Sequence, residues 1–205
     1  MMTFRPNSRG LLLTIILILS VILSSCWIPE SFDAKVTINK DGSYTFTYDG
    51  TLTIALALAA AQKGSLSARD EAGLQKEAAK IRQQPGFKKV EYQGKGRFKV
   101  LVERSGKPGD PFYFVSREMQ IFAVLPLPDR TVSVTAIRPK AEDIQKLNSI
   151  GAKIDGTLSV SVANGVKVVK HNAESEPTLF GLVGVYKWRI KSSAANPMIV
   201  VQPSL

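Results

Sequence analysis

The chain of 205 residues has one cysteine and one histidine. A single cysteine closes no intramolecular disulfide, and one imidazole with one thiol makes no Cys/His zinc site. Aromatics are sparse at 8%, and charged residues account for only 21%, too few for a disordered chain when 44% of residues are hydrophobic. The Gly-x-Ser-x-Gly elbow, the P-loop, His-Glu-x-x-His and the dinucleotide fingerprint are all missing. Nothing in the sequence calls for a cofactor. Long apolar runs are also lacking. The one run, Leu11 to Leu23, spans 13 residues, short of the roughly 20 that a spanning helix needs.

That run has a specific setting. Arg5 and Arg9 precede it with no acid between them, and Leu23-Ser24-Ser25-Cys26 ends it. A basic head, an apolar stretch of this length and small residues before a cleavage point make a secretory leader. Here the sequence resembles bacterial lipoproteins processed by the lipoprotein signal peptidase, whose lipobox reads Leu, small, small, Cys. The resemblance implies cleavage between Ser25 and Cys26, diacylglyceryl attachment to Cys26, and a membrane partner held through that anchor. Trp27 stands where an Asp would retain a Gram-negative lipoprotein at the inner membrane, which by the same resemblance implies the outer membrane, facing the periplasm. The expected organisation is a leader over 1–25, an acylated start and short tether over 26–33, and one domain over 34–205.

The formal charge is +10, a balance that invites a nucleic-acid reading. Removing the leader takes away Arg5 and Arg9 and leaves 180 residues at +8. An exported, lipid-tethered protein does not meet nucleic acid, so the excess points to anionic lipid headgroups or acidic envelope polymers. Seven of those eight positive units fall between Lys76 and Lys107. Lys88, Lys89, Lys95, Arg97 and Lys99 form the candidate anionic-surface patch. The plainer alternative is a solvated face whose lysines also discourage edge pairing of strands.

Patterning in the mature chain is mostly β. Ala34 to Ile38 and Tyr44 to Tyr48 alternate about Asp41-Gly42, a hairpin signal. Leu52 to Ala61 turns from alternating to alanine-rich, which predicts a strand-to-helix switch near Ile54. Ser67 followed by Asp70 predicts a capped helix over 68–83, stopped by Pro85-Gly86. Phe87 to Tyr92 and Arg97 to Arg104 flank Gly94-Lys95-Gly96 as a second hairpin. Met119 to Leu125 and Arg130 to Ile137 are strand candidates, and Ala141 to Ile150 is a short helix. Asn164-Gly165 predicts a third hairpin, between Thr157–Val162 and Val166–Lys170. Val185 to Ile190 and Met198 to Val201 complete about ten strands. The fold class expected is α+β, with two or three helices on a mainly antiparallel sheet. The run containing Gly156, Asn164-Gly165, His171-Asn172 and Tyr186-Lys187-Trp188 resembles the tail of the LppM-like domain of some bacterial lipoproteins, a β-rich module that closes on a Trp-bearing strand.

These features favour a non-enzymatic, membrane-anchored envelope lipoprotein that binds or assembles an envelope protein or an anionic lipid. Two alternatives carry distinct signatures. A hydrolase would use His171, oriented by Glu174 or Glu176, or a carboxylate pair from Glu142-Asp143 or Glu174/Glu176, and would place it in a polar cleft. A lipid carrier would hold an apolar cavity under Leu52–Leu58. Phe112-Tyr113-Phe114 is either core or a lip at such a surface.

Overall fold

The computed structural model describes residues 27–117, 120–137, 140–178, 184–191 and 196–204. Ser25 and Cys26, the expected cleavage and acylation positions, lie outside the described residues. In order, the elements are β1 (Trp27–Ile38), β2 (Tyr44–Ile54), α1 (Ala55–Gln62), α2 (Ala68–Arg82), β3 (Phe87–Gly94), β4 (Arg97–Gly106), β5 (Phe112–Tyr113), β6 (Phe122–Pro126), β7 (Val132–Ala136), α3 (Ala141–Ser149), β8 (Asp155–Val162), β9 (Lys167–His171), β10 (Tyr186–Ile190) and β11 (Met198–Gln202). The class is α+β, as expected, but the strands form two sheets rather than one. The first has the order β10-β8-β1-β2-β4-β3 and the second β5-β6-β7-β11-β9.

The sheets face each other across the alternating inner faces of β1 and β2 and the largely buried strands β6, β7 and β11. From Phe32 to Ile38 the even residues of β1 are buried, as are Tyr44, Phe46 and Tyr48 in β2. Phe122 of the second sheet sits against Phe32, Phe46 and Tyr48, with ring centroids 5.5–6.2 Å apart. Offset and edge-on pairs of this kind add about 0.5–1.5 kcal/mol each beyond the area they bury. The ring of Phe32 lies across Gly156 of β8, where a Cβ would come within 2.3 Å of it.

Local signals hold in the first half of the chain. Asp41 accepts the Ser43 N–H at 2.9 Å and closes the first hairpin. The strand-to-helix switch falls at Ile54–Ala55. α2 begins at a capping box in which Ser67 Oγ accepts from the Asp70 N–H at 3.2 Å, and Asp70 accepts from the Ser67 N–H at 3.0 Å.

Two expectations change. Trp27–Ser31, read as a tether, is the first part of β1. A register shift between Pro29 and Phe32 inverts strand parity there, so Trp27 faces the main core and Ile28 packs on the other side of the sheet with Leu58 and Ala152. The second concerns Asn164-Gly165. The turn is present, with Gly165 at φ +88°, but β8 and β9 are not a hairpin. β8 pairs parallel with β1 and antiparallel with β10, while β9 pairs with β11 in the other sheet. The turn carries the chain from one sheet to the other because Leu158 and Val160 are buried in the first sheet, beside strands far away in sequence. Among the described residues, no helix is long and apolar enough to cross a membrane.

Candidate ligand-binding cleft

The second sheet covers β1 and β2 but ends at the two-residue strand β5. Beyond it, α2 packs on β3 and turns Leu74, Ala78 and Ile81 inward over the sheet. Between the last turn of α2 and the segment after Pro111 lies a half-open cavity of about 520 Å³, within the size range of small-ligand sites. Its floor is Trp27, Leu52, Phe98, Val100 and Val102; Ile81, Pro85 and Phe87 form one wall and Phe112 to Ser116 the other. Trp27 stands edge-on to Phe98 at 5.5 Å. Val115 on the wall has φ +72°, a conformation that costs a β-branched residue of order 1–3 kcal/mol and that tends to cluster at ligand sites. Arg104 lines the outer end of the cleft.

α2 is fastened over this cleft by polar contacts. The Tyr92 hydroxyl donates to Glu71, which also accepts the Lys95 N–H at 3.1 Å. Burial, and then the bond to Glu71, push the Tyr92 phenol up to about 12. Arg82 donates to the Val90 carbonyl at 2.6 Å.

The five candidate patch residues differ in their partners. Lys89 lies 3.0 Å from Glu91, Lys99 2.6 Å from Asp49 and Lys88 3.9 Å from Glu103. Lys95 sits in the β3–β4 turn at φ +53°. Arg97 is bound inside the fold: its Nε donates to Glu30 at 2.7 Å and its Nη2 to the Gly151 carbonyl at 2.9 Å. Glu30 is 7% exposed and also accepts from the Thr53 hydroxyl and from the Lys153 N–H at 3.2 Å. Burial pushes the Glu30 carboxyl up, but the bonds from Arg97, Thr53 and Lys153 together outweigh it, and the group ends below the usual glutamate range. The sequence signal for this buried acid was its place between Ile28 and Phe32, hidden by the reading of Pro29 as part of a tether.

His171 ends β9 outside the cleft. Its Nδ1 accepts the Ala173 N–H at 3.2 Å, its Nε2 is 3.8 Å from Glu176, and its ring lies 4.8 Å from that of Tyr186. Glu174 accepts the Arg189 N–H at 3.0 Å. Glu142 and Asp143 occupy the first turn of α3, where they complement the helix dipole. Among the described residues no group of three His, Cys, Asp or Glu is placed to hold a metal. Phe112 and Phe114 pack on Phe46 at 4.8 and 5.1 Å, so the aromatic cluster is core on one side and cleft wall on the other.

Fold and cleft together define a two-sheet α+β domain with a largely apolar, half-open cavity. No protein-family model and no curated protein matches the chain. Among solved structures it is similar to the NMR structure of the folded domain of LppM from Mycobacterium tuberculosis, with a TM-score of 0.38 and 12% identity over 84% of this chain and 88% of that one. That likeness is too distant to carry function from one chain to the other.

Proposed function

We propose that the protein is a bacterial envelope lipoprotein, anchored by acylation of Cys26 to the outer membrane and facing the periplasm, whose domain is a non-enzymatic module that binds lipid in the cleft. One observation carries this reading: Trp27, the residue after Cys26, forms part of the apolar floor beside Leu52. An anchor at Cys26 would bring the cleft to the bilayer surface, where acyl chains are the abundant apolar ligand. A 520 Å³ apolar site gains about 25 cal/mol for each Å² of ligand surface taken out of water. His171 stands apart from this cleft, and its Nδ1 is taken by the Ala173 N–H, an arrangement that favours binding over hydrolysis.

The test is expression of the full chain, leader included, in a Gram-negative host. Mass spectrometry should find an acylated Cys26, and Cys26→Ser should release the protein from membranes. Native mass spectrometry should find lipid co-purifying with the wild type and not with Ile81→Trp, which fills the cleft from its rim. A chain that carries no lipid and takes up none from added vesicles would refute the binding reading.

A further inference from the structure

We propose that the cleft selects amphiphiles with a negatively charged head, and that Arg104 is the residue that recognises it; this deepens the lipid-binding reading above and rests on it. Phe98, Val100, Val102 and Arg104 are alternate residues of β4 and share its inner face. The first three are buried and the fourth is exposed, so an apolar floor ends in a cation. Among the described residues lining the cleft, Arg104 is the one with a formal charge.

Its stem is held in place. Gly86 has φ +90°, and a Cβ there would lie 2.3 Å from Arg104 Cδ and 2.8 Å from the Glu103 carbonyl. The backbone therefore passes over the arginine methylenes only as glycine, and the Glu103 N–H bonds to the Gly86 carbonyl at 2.8 Å to fix that approach. The guanidinium pairs with no carboxylate among the described residues, unlike Arg97, which is committed to Glu30. Asp110, the acid of this corner, accepts the Lys107 N–H at 3.0 Å. A packed stem with a planar, five-donor head facing solvent suits a carboxylate or phosphate oxyanion, which guanidinium binds bidentately.

The experiment compares dodecyl phosphate, dodecanoate and dodecanol, each below its micelle concentration, as calorimetric ligands of the purified full chain. Wild type should bind the two anions about tenfold more tightly than the alcohol. Arg104→Met should abolish that difference by weakening only the anions, and Arg104→Lys should restore part of it. Retained dodecanol binding shows that the variant cleft is folded. Tighter binding of the phosphate than of the carboxylate would assign the head to a phospholipid, and the reverse to a free fatty acid. Equal binding of all three by wild type, or a preference that survives Arg104→Met, would overturn the role of Arg104 and leave the cleft reading intact. Binding of none would overturn both.

Discussion

Replacing Arg97 by Met tests how the outer face of the first sheet is held together. Glu30 is 7% exposed and receives two of its hydrogen bonds from Arg97, at 2.7 and 3.3 Å. Removing one partner of a fully buried pair costs about 3–5 kcal/mol, because the other charge is stranded. The Arg97 side chain keeps 26% of its exposure, and solvent screening brings the expected loss to about 2–3 kcal/mol. For a chain of this size that is roughly 4–12 °C in Tm. The sign of the pH dependence follows from the Glu30 carboxyl, which the fold holds below its ordinary range. Its contribution in the wild type is present at neutral pH and is lost as pH falls through that lowered value. In Arg97→Met the buried carboxyl, deprived of its cation, protonates more readily. The deficit should therefore be largest near pH 7.5 and shrink towards pH 4. Glu30→Met with Arg97→Met should recover most of the loss, since an apolar pair leaves no charge stranded. Urea unfolding of the three proteins at both pH values measures this. An equal deficit at pH 4 and pH 7.5 would refute the argument, as would a double variant no better than the single.

Two further outcomes are expected. Asn172→Ala removes the side-chain oxygen that accepts both the Trp188 indole N–H and the Met198 N–H at 2.9 Å, a link between the two sheets, and should cost about 1–3 kcal/mol in urea unfolding. Tyr92, raised to about 12, stabilises the fold in full below the ordinary tyrosine range near pH 10 and loses that contribution as pH climbs to about 12. Tyr92→Phe should flatten the decline in Tm over that window.

The parts of the fold that were legible in the sequence are those fixed within a few residues. Asp41-Gly42 with Ser43 and Ser67 with Asp70 close a turn or start a helix by bonds to near neighbours, and Gly94-Lys95-Gly96 joins two strands adjacent in sequence. What escaped depends on distant partners. Leu158 and Val160 alternate equally well for pairing with β9 or with β1, and only burial beside Ala34 and Val36 decides the parallel choice. The candidate cleft has no motif, because it arises where the second sheet stops at Phe112–Tyr113 and α2 does not close the gap. Within the basic segment, charge alone could not tell Arg97, drawn inward by Glu30, from Arg104, left at the end of an apolar row.

The absence of slack between Trp27 and the sheet has a mechanical consequence. β1 lies between β2 on one side, antiparallel, and β8 on the other, parallel. A load applied at Cys26 would pass first into the β1–β2 ladder at Trp27–Pro29 and, from Ser31 onward, into the β1–β8 ladder as well. With the strand already begun at Trp27, an anchor at Cys26 would hold the sheet, and the cleft that Trp27 helps to line, close to the bilayer.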